Sequence, residues 1–352
     1  MPPITSAPVC VTGASGFVAS QLIALLLERG YRVRGTVRGE KGRKALAKVL
    51  ALPGASERLE LVDADLLDPP SLERAVKGCE IVMHTASPYF MAYKDPQKDL
   101  VDPAVKGTRD VLAACTAAGG VKRVVLTSSV AAMTDEPDEG QLITESTWNE
   151  KSSLERNAYY FSKVQAEKEA WRIADEKPGF DLVVINPFMV IGPSLVPSLN
   201  ESNKVIADVV GGKYPGIVSL AWGFVDVRDV ARAHLEAAER KEAKGRYLCA
   251  NVTMTMRELV GRIARVAPGH KVPKMGFDNG IGNFFTRAGS VFYPRGARDF
   301  IRTHLGRVPR FDNGKIQREL GVQFTDIDVT LRNAVDDLVR WGHAPAARSV
   351  AA

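Results

Sequence analysis

The sequence is poor in the residues that build metal sites and disulfide scaffolds. It has four cysteines, at positions 10, 79, 115 and 249, and five histidines among 352 residues. No two cysteines are close in sequence, and neither a CxxC nor an HExxH pattern occurs, which excludes the zinc-cluster, disulfide-framework and zinc-protease classes. We therefore expect free thiols, no bound metal and a reducing, cytoplasmic location.

Long hydrophobic runs are also lacking. The longest clean run near the N-terminus is Leu22–Leu27, whereas a membrane span needs about 20 residues. The first residues show neither a basic n-region nor a long apolar h-region, so no secretory signal is predicted. The 47 Lys and Arg against 41 Asp and Glu give a net charge of +6, which is too diffuse to indicate nucleic acid. We expect a small-molecule partner, no membrane association, and a monomer or homodimer.

Short apolar runs alternate with amphipathic stretches over the first 190 residues. This alternation predicts repeated βαβ units and hence an α/β fold, a doubly wound parallel sheet of the Rossmann type. After Pro187 the chain becomes rich in proline and glycine, which predicts a smaller, mostly C-terminal substrate-binding part. The predicted NADP-binding domain comprises residues 1–187 and 223–252, the substrate-binding part 188–222 and 253–343, and a mobile tail 344–352. The predicted strands are Val9–Val11, Tyr31–Val37, Leu59–Val62, Ile81–Thr85, Val124–Thr127 and Leu182–Ile185, and the predicted helices are Phe17–Glu28, Leu72–Val76, Val101–Ala118 and Tyr159–Asp175.

A glycine-rich turn follows the first predicted strand directly. Residues 12–19 read TGASGFVA. Gly13 permits a tight turn, and Gly16 lets a phosphate approach the backbone without meeting a Cβ. The pyrophosphate of a dinucleotide would then lie at the N-terminus of the next helix. Because the turn joins a strand to a helix at the start of a βαβ series, it predicts a dinucleotide site rather than a merely structural turn.

The end of the second predicted strand indicates which dinucleotide is bound. NAD sites usually carry an acid there, whereas this strand ends in Arg38. An arginine can stack on adenine and pair with a 2′-phosphate, and Lys41, Arg43 and Lys44 add positive charge. Glu40 is the one acid nearby, but it lies beyond the strand end. The pattern predicts NADP(H) rather than NAD(H), with a solvated helix start as the alternative for the basic run.

A strand that ends in hydroxyls precedes a helix that carries a tyrosine and a lysine. Tyr159 and Lys163 are four residues apart and therefore share a helix face. A phenol has a pKa of ~10, and a cation about 4 Å away at an effective dielectric of ~20 supplies about 4 kcal/mol, enough to bring that pKa towards ~7. Tyr159 is thus predicted to act as a general acid on a carbonyl, with Ser129 holding the carbonyl oxygen. Spacing alone leaves Tyr160 and Ser128 open as alternatives.

These motifs resemble those of the extended short-chain dehydrogenase/reductases. The segments that carry the resemblance are TGASGF, TSS and YxxxK. More narrowly, VRGTVR, HTASP, LNES and FVDVRDVA resemble the branch of dihydroflavonol 4-reductases, cinnamoyl-CoA reductases and NADPH-dependent methylglyoxal or ketone reductases. The resemblance is strong over residues 8–250 and weak over 250–343.

The resemblance implies a catalytic set and a cofactor-binding set. The catalytic set is Ser129, Tyr159 and Lys163, with Lys163 lowering the pKa of the tyrosine and binding the ribose. The cofactor-binding set includes the glycine turn and Arg38. Its members are Gly13, Ser15, Gly16, Phe17, Val18, Arg38, Lys44, Asp65, Leu66, Thr85, Ala86, Ser87, Thr127, Tyr159, Lys163, Pro187, Val190 and Ser202.

The expected activity is NADPH-dependent reduction of an aldehyde or ketone. Met133, Phe90, Phe188 and Met189 suggest an apolar pocket for a hydrophobic substrate. Cinnamoyl-CoA or dihydroflavonol reduction is the first alternative. Against the first, this chain has NAYYFSK where the motif of cinnamoyl-CoA reductases is similar to NWYCYGK. Against the second, apolar residues follow Ser129 where flavonoid reductases usually have a polar residue. An NAD(P)-dependent sugar-nucleotide epimerase or dehydratase and an NADP-sensing regulator are the further alternatives.

The C-terminal part carries a basic stretch. Between Arg287 and Arg310 the chain has six arginines. Such a run predicts a solvated surface, with an anion-binding patch as the alternative.

Overall fold

A computed structural model describes residues 3–87 and 93–347. Its strands are β1 (Val9–Val11), β2 (Val33–Val37), β3 (Leu59–Asp63), β4 (Ile81–His84), β5 (Arg123–Thr127), β6 (Leu142–Ile143), β7 (Asp181–Pro187), β8 (Met189–Ile191), β9 (Ala221–Asp226), β10 (Gly245–Cys249), β11 (Val252–Thr255) and β12 (Arg310–Phe311). Its α-helices are α1 (Phe17–Glu28), α2 (Gly39–Ala45), α3 (Ala47–Leu50), α4 (Ala55–Arg58), α5 (Pro69–Val76), α6 (Asp102–Ala118), α7 (Ala158–Asp175), α8 (Glu201–Val210), α9 (Val227–Glu239), α10 (Met256–Val266), α11 (Gly280–Gly289), α12 (Arg295–His304), α13 (Gly314–Leu320) and α14 (Ile327–Arg340). A π-helical turn spans Gln97–Val101, and 3₁₀ turns span Val130–Ala132 and Ser290–Phe292.

The main sheet has seven strands in the order β3-β2-β1-β4-β5-β7-β10. Every neighbouring pair runs parallel, and Val9 of β1 aligns with both Val33 of β2 and Ile81 of β4. β1 and β4 are wholly buried, which explains their short, uninterrupted apolar runs. The doubly wound fold predicted from the sequence is confirmed.

The strand order reverses between β1 and β4. Chain connections leave these two strands in opposite directions along the sheet, so a crevice opens beyond their carboxyl ends. The glycine-rich turn follows β1, and Thr85–Ser87 follow β4. The topology therefore brings these two predicted segments to one place.

A second, mixed sheet contains β8, β9 and β11. β9 is parallel to β8 and antiparallel to β11. The sequence prediction assigns residues 223–252 to the nucleotide-binding domain, and this division stays a prediction. Trp222 and Phe224 of β9 pack into a second core with α8, α10 and α14, whereas Val225 packs into the core of the main sheet. The helix that follows, α9, returns to the main sheet and packs against α1.

The first residue of the predicted mobile tail, Ala344, has contacts with the rest of the fold. The start of the predicted mobile tail is tied down, because Ala344 is buried and its N–H donates to the carbonyl oxygen of Leu338. Residues 348–352 lie outside the described residues. None of the helices in the described ranges is long and apolar enough to cross a bilayer.

Candidate active site

The glycine-rich turn between β1 and α1 has the shape of a phosphate cradle. Gly13 has a φ of +68°, and a Cβ on it would lie 2.9 Å from the Cβ of Ala86. α1 begins after Gly16 without a side-chain cap and without an acidic residue in its first turn. The N–H groups of Phe17 and Val18 have no partner within the helix, so the turn fits a dinucleotide pyrophosphate. Ser15 lies half-buried within the same turn.

The segment that follows β4 is fastened to this turn by Thr12. The Thr12 hydroxyl oxygen accepts hydrogen bonds from the N–H groups of Thr85 and Ala86, both at 3.1 Å. The Thr85 hydroxyl donates to the Thr12 carbonyl oxygen. Thr12 also lies 2.9 Å from Nδ1 of buried His84. The walls of the crevice are therefore joined directly by hydrogen bonds.

Lys163 reaches the same crevice from α7. Its Nζ donates to the Ser87 hydroxyl oxygen at 2.8 Å and lies 5.7 Å from the centre of the Tyr159 ring. Burial lowers the pKa of Lys163 to about 8, and the carboxylate of Glu167 opposes that change. Burial, followed by the charge of Lys163, lowers the pKa of His84 to about 4. Lys163 is therefore the cation that faces both Tyr159 and Ser87.

The two serines after β5 differ in their surroundings. Ser128 is buried, and its hydroxyl donates to the Glu167 carboxylate in the interior. Ser129 is half-exposed, and its hydroxyl oxygen accepts from the Ala131 N–H at 3.1 Å. Of the two candidates, Ser129 is the more exposed one, and its catalytic role stays a prediction.

The two tyrosines of α7 are also separated by their contacts. The Tyr160 ring lies 5.5 Å from the ring of His304 on α12, and it meets the Tyr159 ring edge-on at 6.0 Å. Tyr159 is the one whose ring lies near Lys163. The geometry thus favours Tyr159 over Tyr160 as the partner of the lysine.

The adenine end of the crevice lies beyond β2 and β3. Exposed Arg38 lines a surface pocket there with Arg74 and Asp63, among others. Arg43 pairs with Asp63 at 2.6 Å and lowers the pKa of that carboxyl. The charge of Arg43 is thus paired with an acid within the protein. Arg38 and Arg74 line the pocket.

Three further residues were predicted for this end. Asp65 lines the pocket, and its carboxylate accepts from the Leu67 N–H at 2.9 Å. Leu66 packs beside Gly107 of α6. Lys44 lies on the exposed side of α2, outside the pocket lining.

The remaining predicted cofactor residues are more scattered. The Thr127 hydroxyl oxygen lies 2.6 Å from Nε2 of His234, so a protein partner already engages it. Pro187 is buried at the end of β7, and the Val190 carbonyl oxygen on β8 accepts from the Asn200 side chain at 3.0 Å. Ser202 lies in the first turn of α8. Their contact with a cofactor stays a prediction.

Among the residues suggested for an apolar pocket, Phe188 packs both against the small cluster that contains Met133 and against the second core. Met133 is fully buried in a small core cluster with Val130 and Ile143, because the 3₁₀ turn folds it inward. Phe188 and Met189 are half-buried and pack at the edge of the second core. Phe90 lies outside the described residues.

The basic stretch is tied into the region that precedes α7. Arg307 pairs with Glu136 at 2.7 Å, and Arg295 donates to the Leu154 carbonyl oxygen at 3.1 Å. Arg295 and Arg298 each lie 3.9 Å from the carboxylate of Asp299. Three of the six arginines, Arg295, Arg298 and Arg307, therefore have protein partners. That the stretch forms a solvated surface, or alternatively an anion-binding patch, stays a prediction.

Sequence reasoning missed a buried polar cluster beneath the site. Glu167, Asn186 and Arg246 are each at most 6% exposed, and Glu167 contacts both of the others. Glu167 follows Lys163 by four residues, a spacing that marks a shared helix face. That spacing was the one sequence signal for the cluster. A glutamate among lysines on a helix, however, is typical of a solvent-exposed helix face.

Comparison with known proteins agrees with this arrangement. The family model "NAD dependent epimerase/dehydratase family" matches residues 9–251. Cinnamoyl-CoA reductase 1 of Petunia hybrida is 38% identical over 341 residues, covering 96% of this chain and 93% of that protein. Gre2 of Candida albicans in complex with NADPH has a TM-score of 0.79 and 30% identity over 95% of this chain and 99% of that one. Vestitone reductase of alfalfa has a TM-score of 0.75 and 27% identity over 96% and 99% of the two chains. The predicted family is confirmed, and the chain belongs to the NAD-dependent epimerase/dehydratase family of extended short-chain dehydrogenase/reductases.

Proposed function

We propose that this protein is an NADPH-dependent carbonyl reductase that acts on small hydrophobic aldehydes or ketones. One observation carries the proposal: Lys163 Nζ lies between Tyr159 and Ser87, and Ser87 belongs to the segment that is fastened to the glycine turn. The proton donor and the phosphate cradle therefore belong to one crevice. Similarity to reductases over most of the chain supports the same activity.

The residues divide the work of the reaction between them. Bound NADPH supplies the hydride that reduces the carbonyl carbon. The Tyr159 hydroxyl gives its proton to the carbonyl oxygen, which Ser129 holds by a hydrogen bond, so the product is an alcohol. Lys163 stabilises the phenolate that remains, and its ammonium donates to the ribose hydroxyls. Arg38 and Arg74, which line the pocket, would hold the 2′-phosphate of the bound cofactor, and Arg43 neutralises the competing charge of Asp63.

The decisive experiment measures loss of NADPH fluorescence with a panel of aldehydes and ketones. We expect turnover with apolar carbonyl compounds and formation of the matching alcohol. NADPH binding without consumption across the whole panel would contradict the proposal and favour a sensing role. Turnover of a sugar nucleotide without net NADPH loss would instead indicate an epimerase.

Reduction of a coenzyme A thioester is the second candidate. Whole-length similarity to cinnamoyl-CoA reductases favours it. Ala158, the residue before the two tyrosines, is small and fully buried. The corresponding position of the cinnamoyl-CoA reductase motif is a tryptophan. Thioester reduction yields one aldehyde and one free thiol per NADPH, so a thiol reagent distinguishes it from reduction of a free aldehyde.

A further inference from the structure

We propose that Glu167 is a positioning residue of the active site, an inference that rests on the carbonyl reductase function proposed above. Its carboxylate joins the ends of β5 and β7 to α7, so that Ser129 and Lys163 keep their places relative to each other. It does not touch the substrate.

The carboxylate of Glu167 is hydrogen-bonded to groups at the ends of both neighbouring strands, β5 and β7. One carboxylate oxygen accepts from the Ser128 hydroxyl and from Asn186 Nδ2, the latter at 2.7 Å. Asn186 Nδ2 also lies 3.2 Å from the carbonyl oxygen of Ser129. The turn that presents Ser129 is therefore held from below at two points.

Glu167 shares a face of α7 with Lys163. It lies one turn after Lys163, and both side chains are buried. The charged groups that face Lys163 are Glu167 and His84, and burial keeps His84 neutral. With Tyr159 and Ser87 on its other sides, Lys163 has Glu167 as its nearby negative charge among the described residues. The carboxylate thus supports the positive form of the lysine.

An arginine pairs with the Glu167 carboxylate in the interior. The second oxygen of Glu167 lies 2.6 Å from Nε of Arg246, and these side chains are 0% and 6% exposed. Arg246 stacks on the Trp148 ring at 4.1 Å and donates to the carbonyl oxygens of Glu145 and Thr147. A buried ion pair of this kind adds little stability over an apolar replacement. Stability alone therefore does not explain the pair, whereas a role in positioning does.

Two substitutions separate positioning from general stability. Ser128→Ala removes the direct link between the carboxylate and the Ser129 turn, keeps the second link through Asn186, and leaves the ion pair in place. We expect kcat to fall about ten-fold, the value of one hydrogen bond, with the KM for NADPH and the melting temperature little changed. The pH at which the KM for NADPH rises should stay at its wild-type value.

Glu167→Gln removes the negative charge as well. We expect the KM for NADPH to rise at a lower pH than in the wild type, because Lys163 then loses its proton more readily. Glu169→Gln is the matched control, since Glu169 lies two residues on and pairs with Arg109 and Arg172 at the surface. If Glu167→Gln does not fold, Ser128→Ala still decides the question through kcat.

The outcomes distinguish this inference from the proposed function. A wild-type protein that reduces no carbonyl compound overturns the proposed function and, with it, this inference. An active wild type whose Ser128→Ala variant keeps its full kcat overturns the positioning role alone. The same holds if Glu167→Gln folds, lowers only the melting temperature and leaves the pH dependence unchanged.

Discussion

The ammonium of Lys163 and the hydroxyl of Ser87 lie 2.8 Å apart, although 76 positions separate the two residues in the sequence. This contact joins α7 to the segment after β4. Because that segment is fastened by Thr12 to the glycine turn, a displacement of Lys163 is transmitted to the cofactor cradle. The proposed cofactor cradle and the proposed proton donor are thus connected through one side chain.

Loss of Lys163 should impair both cofactor binding and chemistry. Burial lowers the pKa of Lys163 to about 8, so its positive charge is complete well below pH 8 and is lost as pH rises through that value. We expect the wild-type KM for NADPH to rise above about pH 8, and Lys163→Met to show a high, pH-independent KM. Lys168→Met, an exposed lysine of the same helix, should behave as the wild type. A pH series of initial rates tests this, and an unchanged KM in an active Lys163→Met enzyme would contradict it.

Tyr159→Phe should nearly abolish carbonyl reduction while leaving NADPH affinity near its normal value. Only the transferable proton is removed, and general acid catalysis contributes ~10²–10⁴ in rate. Tyr160→Phe is the matched control, because it keeps the ring that faces His304 and should change kcat only slightly. Steady-state rates and cofactor titrations of both variants give the answer. If Tyr160→Phe is the inactive variant, the assignment of the acid is wrong by one residue.

Arg38→Ala should weaken NADPH binding by about 1.5–3 kcal/mol and leave NADH binding unchanged, because the lost contact is a charge-assisted hydrogen bond to the 2′-phosphate. Lys41→Ala on α2 serves as the control, since it removes an exposed cation outside the pocket lining. Fluorescence titration with both cofactors measures the preference. Equal wild-type affinities for NADPH and NADH would refute the 2′-phosphate role.

Gly13→Ala should lower both cofactor affinity and stability. The residue has a φ of +68°, and its new Cβ would meet Ala86 at 2.9 Å. Gly78→Ala is a matched control, because Gly78 has a similar φ of +75° but no atom within 4 Å of a Cβ placed there. We expect the control to cost about 1 kcal/mol of unfolding free energy from backbone strain alone, and Gly13→Ala to cost more and to lose NADPH binding. Chemical denaturation and titration compare the two.

Much of the main sheet and several segments of the crevice could be predicted from the sequence. α1 was predicted at its observed bounds, Phe17–Glu28, because Gly16 marks its start and the helix faces the core with a continuous apolar side. The glycine turn, the β4 segment and the Tyr–Lys pair could be placed because each follows a recognisable element. These are local patterns, and the parallel topology assembles them.

The second sheet and the cluster under the site could not be predicted in the same way. β8 has three residues and lies among prolines and glycines, so no periodicity marks it. The partners of buried Glu167 are Ser128, Asn186 and Arg246, which are distant from it in sequence and lie on or after β5, β7 and β10. Pairings of this kind depend on the tertiary fold, and a single sequence contains no periodic trace of them.

The order of strands along the chain also has a consequence for synthesis on the ribosome. β7 pairs on one side with β5 and on the other with β10, which ends at Cys249. While the chain emerges between residues 188 and 244, β7 therefore presents an open, largely apolar edge. Such edges recruit strands from other chains, so nascent protein truncated in this interval is the form most exposed to aggregation and most dependent on chaperones.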